Sequence, residues 1–416
     1  MNTFWIDSKL NIEVSYDVLY QKLIKKGSNN TYIKSENPFD LFLALLRNLI
    51  NGKDCTILDA DFSEEELVGL GVESEQIENS FYVQPDLGTT FSDFEKILSF
   101  LEAQEQKTTV QIFTSGTTGR PKKVEQTLNN LTRAVKTDIK YQLNIWAFAY
   151  NPSHFAGLQV FFQAFYNKNK IVYTFGHTYK SIYQDILNHK LTHLSCTPTY
   201  IKMLLPYIEV PIDSLISLTF GGEKFDKKIQ NSIRLSFPNA LIKNVYASTE
   251  AGSLLRSNGE YFNIPERYRQ EIKIVDKEMF IHRNLLGNSD NFLLVGGWYH
   301  TGDMIEFKDE LQQEFKFKSR KSEMINVGGY KVNPEEIENI IKAIPGINDA
   351  IVFGRKNSIM GNIIEANVIK EPSLEDSAVK AAVKAATSIL QDFKRPRIIT
   401  IVNQFELTRT GKVKKL

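Results

Sequence analysis

The sequence predicts an α/β fold, with a large N-terminal domain of mixed and parallel sheets with helices and a small α+β C-terminal domain. Between residues 110 and 195, short β-prone runs alternate with amphipathic, helix-length segments, as in parallel sheets with helical crossovers. Beyond residue 320, strand and helix patterns follow one another in a short, compact order. We therefore expect an N-terminal domain at 1–320 and a C-terminal domain at 321–416.

Hydrophobic periodicity predicts the individual elements. Apolar residues at helical spacing indicate helices at 38–51, 62–70, 155–165 and 179–188, and a longer helix that follows Thr127 and continues through Tyr141. Apolar and β-branched runs indicate strands at 110–113, 145–150, 170–173 and 191–195. In the C-terminal domain the predicted helices are 334–342 and 374–390, and the predicted strands are 350–353, 363–369 and 397–402.

Composition argues against several classes of function. The chain has 416 residues and a net charge of +1, and a charge so near zero does not favour a nucleic-acid partner. Its two cysteines, Cys55 and Cys196, are too few for a disulfide framework or a four-ligand zinc site, and we expect both to be buried or idle. We find neither a signal peptide nor an apolar run of ~20 residues that would cross a bilayer. We therefore expect a cytoplasmic protein without a membrane partner.

The strongest chemical signal is the segment 114–122, TSGTTGRPK. Its glycines let the backbone approach a charged ligand closely, its loop amides suit an anion, and Lys122 adds a point charge for phosphate. It is not a Walker A motif, because Pro121 precedes the lysine and no Ser or Thr follows it. The alternative is an ordinary polar turn. The predicted phosphate-binding residues are Thr114, Ser115, Gly116, Thr117, Thr118, Gly119 and Lys122.

This segment closely resembles the signature loop of the adenylate-forming superfamily, which includes acyl-CoA synthetases, adenylation domains and luciferases. Later segments resemble further motifs of that superfamily in the same order: FGGE at 220–223, YASTE at 246–250, YHTGD at 299–303, the hinge and the start of the C-terminal domain at 319–338, and LTRTGK at 407–412. The resemblance implies an enzyme that uses ATP and Mg²⁺ to activate a small carboxylic acid as an acyl-AMP.

The resemblance also implies roles for single residues. Glu250 would hold Mg²⁺, which prefers oxygen ligands, and Asp303 would accept hydrogen bonds from the ribose hydroxyls. Arg320 would donate to the ribose or a phosphate. Lys412, charged at neutral pH, would bridge the attacking carboxylate and the α-phosphate. Read locally, the alternatives are a surface ion pair, a turn aspartate and a solvated tail lysine. The other implied nucleotide contacts are Gly221, Gly222, Glu223, Tyr246, Ala247, Ser248 and Thr249.

Residues 151–158 resemble the superfamily's segment on the side of the acid substrate. His154 would lie near the acyl group as a gate, or it is a helix-start histidine packed in the core. The absence of acidic residues between Asp138 and Asp185 disfavours an amino-acid substrate, because the adenylation domains for amino acids place an aspartate early in this segment. Four phenylalanines at helical spacing form either a pocket wall or ordinary core. They are Phe155, Phe161, Phe162 and Phe165.

Two departures concern the N-terminus and the hinge. The phosphate loop begins at residue 114, so the N-terminal adenylation domain is shortened relative to the superfamily. Ser322 stands where the hinge of the superfamily usually has Asp or Lys. We expect an AMP-forming acid-thiol ligase of the acyl-CoA synthetase type, acting on an aryl or fatty acid and transferring it to coenzyme A. Gly328 and Gly329 would then border the pantetheine tunnel.

Two alternative functions remain open at this stage. One is an acyl-AMP ligase that loads the phosphopantetheine of an acyl carrier protein. The other is a catalytically inactive, adenylate-binding partner protein, which the shortened N-terminus and the altered hinge would suit. The sequence names neither the acid nor the oligomeric state.

Overall fold

The computed structural model describes residues 3–24, 31–72, 94–114, 122–223, 229–290, 292–327, 330–357, 360–408 and 413–414. The chain divides into two compact units, residues 1–273 with 281–299, and residues 274–280 with 300–416. By this division residues 300–320 belong to the second unit. The predicted boundary at residue 320 concerns which residues move together as a domain, and it stays a prediction.

Two sheets lie in the first unit. In chain order their strands are β1 (Thr3–Asp7), β2 (Ile12–Ser15), β3 (Tyr32–Ile33), β4 (Cys55–Ile57), β5 (Thr109–Thr114), β6 (Lys122–Thr127), β7 (Ile145–Phe148), β8 (Lys170–Tyr173), β9 (His193–Cys196), β10 (Ser217–Gly221), β11 (Leu241–Ser248) and β12 (Gly252–Ser257). The eight-stranded sheet has the order β12-β11-β10-β9-β7-β8-β1-β2, and the four-stranded sheet has the order β3-β4-β5-β6. Parallel pairing joins β1, β8, β7, β9, β10 and β11, which confirms the predicted parallel sheet.

The remaining strands are β13 (Ile272–Val275), β14 (Glu278–His282), β15 (Leu294–Val295), β16 (Trp298–Phe307), β17 (Phe315–Arg320), β18 (Ile325–Val327), β19 (Tyr330–Val332), β20 (Ile347–Asn357), β21 (Gly361–Lys370) and β22 (Ile398–Ile401). A five-stranded sheet has the order β13-β14-β16-β15, with β17 paired to β16. The boundaries between the two units fall within β13, β14 and β16.

Several helices begin at a residue whose side chain caps the first turn. They are α1 (Tyr16–Ile24), α2 (Pro38–Ile50), α3 (Glu64–Gly69), α4 (Phe94–Gln104), α5 (Leu128–Thr132), α6 (Phe155–Tyr166), α7 (Tyr179–His189), α8 (Pro198–Leu204), α9 (Gln230–Ser236), α10 (Pro334–Lys342) and α11 (Asp376–Thr387). Asn37 caps α2 and Thr197 caps α8, each followed by proline at the first helical position, where no backbone donor is needed. Ser63 and Glu66 form a reciprocal capping box at α3.

The helix predicted from Thr127 to Tyr141 is wrong in length. Thr127 does cap a helix by accepting a hydrogen bond from the amide of Asn130, but α5 ends at Thr132. The Arg133 side chain is engaged by carbonyls at residues 251 and 285, and Val135 and Thr137 are β-branched residues of low helix propensity. Tertiary contacts therefore outweigh the apolar periodicity that suggested a longer helix.

The two faces of the eight-stranded sheet differ over β9, β10 and β11. On one face Leu194, Cys196, Leu218 and Phe220 are at most 1% exposed in the core with α7 and α8. Because side chains alternate along a strand, their neighbours point to the opposite face, the side on which α6 packs. We call this side the open face of β9–β11. Its residues Ser195, Thr219, Gly221, Lys243 and Val245 are half-buried, although their strands are central in the sheet.

The second unit has its own apolar core. Strands β20, β21 and β22 form a three-stranded sheet whose apolar residues pack against α10 and α11, with Ile337, Ile341 and Val383 fully buried. Asn333 caps α10, and the buried Glu338 on α10 accepts a hydrogen bond of 3.0 Å from the amide of Val352. This pairing satisfies a carboxylate that would otherwise be costly to bury.

The two cysteines agree with the expectation from composition. Cys55 and Cys196 are free and buried, as expected. Burial raises the pKa of the Cys55 thiol to about 12, so the thiol is protonated and unreactive at neutral pH. No helix in the described part of the chain has the length and apolar character that crossing a membrane requires.

Candidate active site

The predicted phosphate loop joins two neighbouring strands. β5 and β6 pair antiparallel, and Thr114 lies opposite Lys122 in their register. Val110 and Ile112 anchor β5 in the core at 0% exposure. The two ends of the loop are therefore held side by side. Residues 115–121, with the predicted phosphate-binding Ser115, Gly116, Thr117, Thr118 and Gly119, lie outside the described residues.

Glu250, the predicted magnesium ligand, lies in the turn between β11 and β12, and a buried glutamine holds this turn. The side-chain amide of Gln126 donates to the carbonyl of Thr249 at 2.6 Å and to that of Glu250 at 3.1 Å. Its side-chain oxygen accepts from Asn130, and Gln126 is 0% exposed. Gln126 lies on β6, the strand that leaves the phosphate loop. Gln126 therefore ties the Glu250 turn to the strand that follows the predicted phosphate loop.

Further contacts fix the same turn. Arg133 donates to the carbonyl of Ala251 and, at 3.2 Å, to that of Leu285, and the amide of Gly287 donates to the carbonyl of Glu250 at 2.8 Å. Gly252 has φ +70°, which favours glycine, and a Cβ there would lie 3.0 Å from the Arg133 guanidinium, which would have to shift. The sequence alone did not indicate Gln126 and Arg133, because only tertiary pairing brings them to the turn.

The Glu250 carboxylate fits a magnesium site. It is half-buried, and within the described residues no side chain forms a hydrogen bond or ion pair with it. Mg²⁺ typically takes one or two protein carboxylates and completes its shell with water and substrate phosphates. The described parts of the chain contain no group of three or more His, Cys, Asp or Glu that could hold a metal alone. Within the described residues, the chain therefore offers the single carboxylate of Glu250 to a metal whose other ligands would be water and substrate.

The predicted adenine-contacting segment lies where β10 ends. Gly222 has φ +81°, which favours glycine, whereas a Cβ on Gly221 would make only ordinary contact with the Tyr150 hydroxyl at 3.6 Å. The Glu223 carboxylate accepts a hydrogen bond of 3.0 Å from the amide of Thr199 in the first turn of α8. Glu223 therefore has a structural role at the start of α8, which the sequence did not indicate.

The YASTE segment forms the end of β11 and the turn that follows it. The register with β12 shifts between Tyr246 and Ala247, because β12 bulges at Leu254 opposite them. The Ser248 hydroxyl accepts from the amide of Ala251 at 3.1 Å, which closes the turn around Thr249 and Glu250. Tyr246, Ala247, Ser248 and Thr249 are half-buried, as residues that contact a bound nucleotide would be.

His154 is held by a carboxylate that the sequence did not reveal. It occupies the N-cap position of α6, and its Nε2 lies 3.0 Å and 3.1 Å from the two carboxylate oxygens of Asp59. Ser153 donates to the same carboxylate. The histidine is 13% exposed, so it lies just below the surface of the first unit. Of the four phenylalanines, Phe161, Phe162 and Phe165 are 0% exposed, which confirms the reading as core for these three.

In the second unit, Asp303 and Arg320 pair with each other. They lie opposite one another on β16 and β17, and Arg320 donates to the two carboxylate oxygens at 2.7 Å and 3.3 Å. The Asp303 side chain is 11% exposed. Glu278 fixes the adjoining backbone by accepting from the amide of Gly302 at 3.0 Å and from Lys321 at 2.5 Å. Arg320 is thus placed to orient the predicted ribose-binding carboxylate.

Three predicted residues of the second unit are not described. Lys412, the catalytic prediction, lies outside the described residues, as do Gly328 and Gly329 of the predicted thiol site. The neighbouring Lys414 is described, and its ammonium pairs with Glu406 at 3.2 Å.

Two family models match this chain. The model of the AMP-binding enzyme family matches residues 40–279, which is more than half of the chain. This chain belongs to the AMP-binding enzyme family. The model of the AMP-binding enzyme C-terminal domain matches residues 336–412. The predicted membership of the adenylate-forming superfamily is therefore confirmed.

Curated relatives of this AMP-binding enzyme share low identity over long alignments. A 2-succinylbenzoate–CoA ligase of Listeria innocua is 25% identical over 411 residues, covering 93% of this chain and 81% of the relative. A 2-succinylbenzoate–CoA ligase of Staphylococcus aureus is 24% identical over 330 residues, covering 73% of this chain and 65% of the relative. The chain thus spans just under two thirds of the Staphylococcus aureus protein.

Solved structures confirm the fold of this AMP-binding enzyme. ATP-bound MatB from Rhodopseudomonas palustris superposes with a TM-score of 0.73 at 14% identity, covering 99% of this chain and 94% of MatB. The o-succinylbenzoate CoA synthetase MenE from Bacillus subtilis, in complex with its acyl-adenylate intermediate, gives 0.70 at 17% identity, with the same coverage of both chains. At these identities the likeness concerns the fold alone.

Proposed function

We propose that this AMP-binding enzyme is an ATP-dependent acid-thiol ligase that activates a small aryl or aliphatic carboxylic acid as an acyl-AMP and transfers it to coenzyme A. The observation that carries the proposal is the pair of hydrogen bonds from the Gln126 side chain to the carbonyls of Thr249 and Glu250, which we call the Gln126 clamp. The clamp ties the Glu250 turn to the strand that follows the predicted phosphate loop. The Glu250 carboxylate itself has no partner within the described residues. The names of the relatives, 2-succinylbenzoate–CoA ligases, support an aryl acid and coenzyme A.

In the first half-reaction a carboxylate oxygen attacks the α-phosphorus of ATP and pyrophosphate leaves. Both reactants are anions, so catalysis depends on positioning and positive charge. Bound magnesium would supply charge neutralisation at the phosphates, and Glu250 is the residue that would hold it. Lys122 and Lys412 would add cationic charge, Thr249 would contact the α-phosphate, and Asp303, oriented by Arg320, would accept from the ribose hydroxyls.

In the second half-reaction the thiol sulfur attacks the acyl carbon, AMP leaves and the thiol proton passes to solvent. The residues assigned here are Gly328 and Gly329 beside the pantetheine and His154 beside the acyl group. The contact of 3.0 Å between its Nε2 and the carboxylate of Asp59 fixes the position of the His154 ring, which would border the acyl group.

Acid-dependent ATP–pyrophosphate exchange tests the first half-reaction over a panel of aryl, fatty and amino acids. We expect exchange with aryl or aliphatic acids and none with amino acids. Mass measurement of the products with coenzyme A, or with a holo acyl carrier protein, then identifies the acceptor. A panel without any acid-dependent exchange would contradict the proposal and favour an adenylate-binding partner protein. Loading of the carrier protein in place of coenzyme A would correct the acceptor alone.

We also propose that the reaction takes place in the cytoplasm, where ATP and coenzyme A are available together. Fractionation of cells that produce a tagged full-length chain checks this location. Recovery of the chain with the membrane or secreted fraction would contradict it.

A further inference from the structure

Three cations meet on the open face of β9–β11. Lys243 lies on that face of β11, and Arg256 lies on β12, paired with Val245 across an antiparallel ladder that puts both side chains on one side. Arg256 also donates to the carbonyl of Ala134 at 3.0 Å, which brings the segment of Lys136 across the same face. The backbone of Lys136 is in turn bound by Gln163 on α6. We call Lys136, Lys243 and Arg256 the cation group.

The cation group has no acidic partner within the described residues. The Lys243 ammonium contacts a neutral group, the Ser217 hydroxyl, at 3.1 Å, and the polar contact of Arg256 is a backbone carbonyl. Burial, together with Arg256 and Lys136, lowers the pKa of Lys243, and burial together with Arg267 lowers that of Arg256. Like charges brought together without a carboxylate destabilise the free protein, and a bound anion would remove that repulsion.

The aromatic side chains beside the cation group are uncharged. The His193 ring packs against Trp146 in a tilted arrangement, with the ring centroids 4.7 Å apart, and its Nδ1 lies 2.9 Å from the Thr192 hydroxyl. Burial and the Lys243 charge lower the pKa of His193 to about 4, so its ring is neutral at physiological pH. Trp146 and His193 thus offer flat, uncharged surfaces beside the cation group, which suit the ring of an aromatic ligand.

The open face connects the cation group to the predicted reaction centre within the first unit. Lys243 lies three strand residues before Tyr246, a separation of about 10 Å at strand geometry. Thr219, Gly221 and Val245 line the interval and are half-buried. An acid whose reacting carboxylate lies near the Glu250 turn and whose body follows this face would bring its far end to the cation group.

We propose that Lys243, Arg256 and Lys136 form a subsite for a second anionic group on the acid, so that the substrate is a dicarboxylate whose two acid groups lie about 10 Å apart or less. This subsite rests on the proposed function, because it assigns the far end of the acid that the enzyme activates. Lys243 is its half-buried centre, and Arg256 and Lys136 lie at its rim, where the ends of their side chains reach the surface.

Three acids in the exchange assay test the subsite. They are 2-succinylbenzoate, which carries two carboxylates, its analogue with hydrogen in place of the ring carboxylate, and its analogue with methyl in place of the side-chain carboxylate. Only one of the two carboxylates is activated, so the analogue that lacks this carboxylate should support no exchange. Over the monoacid that keeps the reacting carboxylate, we expect the full-length wild-type chain to prefer the diacid in kcat/KM by about 10- to 100-fold, the range for a hydrogen bond between charged groups. Lys243→Met and Arg256→Met should remove most of this preference, by lowering kcat/KM for the diacid towards the value for the reactive monoacid.

Controls separate binding of the anion from folding. Lys180→Met removes an exposed lysine on α7, on the other side of the sheet, and should keep the preference, while Lys243→Arg should restore much of it. Equal loss with the diacid and with the reactive monoacid in Lys243→Met would mean a structural role and overturn the subsite. So would a wild-type chain that exchanges the reactive monoacid as well as the diacid, although acid activation itself would stand.

Two further outcomes would assign the cations a different role or none. If the variants keep the diacid preference but raise the KM for coenzyme A, the cations serve the phosphates of the acceptor, and the subsite for the acid is refuted. If no acid of the wider panel supports exchange, the proposed function fails and the subsite fails with it. Calorimetric binding of 2-succinylbenzoate to wild type and to Lys243→Met gives a readout without turnover, and equal affinities would also refute the subsite.

Discussion

At the scale of the residue, Gln126 decides the shape of the Glu250 turn. In Gln126→Leu the carbonyls of Thr249 and Glu250 lose their buried donor, which should destabilise the first unit by about 1–3 kcal/mol. Substitution of a residue that supports a metal ligand typically lowers metal affinity by 10- to 100-fold. We therefore expect the Mg²⁺ concentration for half-maximal exchange to rise by about tenfold, measured at saturating acid and ATP.

A matched glutamine separates this effect from general damage. Gln163 on α6 also binds backbone through its side-chain amide, at the carbonyl of Lys136, but lies away from the Glu250 turn. Gln163→Leu should leave the Mg²⁺ dependence unchanged. An unaltered Mg²⁺ requirement in Gln126→Leu, with stability reduced, would show that the clamp serves folding alone.

Asp59 has a comparable role beside His154. In Asp59→Asn the ring loses a charged partner, and we expect kcat/KM for the acid to fall by about tenfold while the KM for ATP stays constant. The matched control is Asp185→Asn. Asp185 lies 3.8 Å from His177 in a buried cluster that the proposed reaction does not use. A fall of kcat/KM in the control as large as in Asp59→Asn would contradict the assignment.

At the scale of the element, α6 is fitted closely against the segment before it. A Cβ on Gly157 would lie 2.3 Å from the carbonyl oxygen of Asn151, so Gly157→Ala must displace the helix that His154 begins. We expect a loss of stability of about 1–3 kcal/mol and a raised KM for the acid. In contrast, Gly69 in α3 has no atom within 4 Å of such a Cβ, and Gly69→Ala should be neutral or stabilising by about 0.5–1 kcal/mol. Thermal unfolding of both variants checks the pair, and equal stability would contradict the close packing of Gly157.

Elements were predictable where local pattern and tertiary contacts agree. Periodicity located α2, α6 and α7 and the parallel strands within a few residues, because their apolar faces are buried in the core. It failed after Thr127, where contacts of Arg133 end α5 early. Gln126, Asp59 and Arg256 escaped notice because their partners are distant in sequence, and only strand register and turn geometry bring them together. Motif resemblance identifies residues that touch ligand but not those that position them.

At the scale of the whole molecule, the half-buried His193 makes stability depend on pH. Its folded pKa is about 4, below the ordinary value of 6.5, so the unfolded chain binds a proton at a higher pH than the folded chain does. Its contribution is fully present above pH ~6.5 and is lost as the pH falls towards ~4, amounting to about 2 kcal/mol after allowance for partial exposure.

Substitution of His193 tests this dependence. His193→Gln should flatten the stability of the first unit between pH 6.5 and 4.5, measured by chemical denaturation with fluorescence. His300→Gln, which removes an exposed histidine of the second unit, should leave the slope unchanged. A wild-type slope in His193→Gln would contradict the lowered pKa.

The role of Lys412 can be tested by measuring the two half-reactions separately, because only the first brings two anions together. Lys412→Ala should reduce ATP–pyrophosphate exchange by about 100- to 1000-fold, the range for removal of one preorganised charge-stabilising group. It should leave the reaction of a supplied acyl-AMP with coenzyme A nearly unchanged, because that step replaces phosphate by a thiol at the acyl carbon.

Lys414→Ala, two residues further on, removes a lysine that pairs with Glu406 and should affect neither step. If Lys412→Ala impairs both half-reactions equally, its ammonium acts on the fold or on nucleotide binding in general. The assignment of that lysine to the attacking carboxylate and the α-phosphate would then be wrong, while the Glu250 turn and its clamp would keep their role.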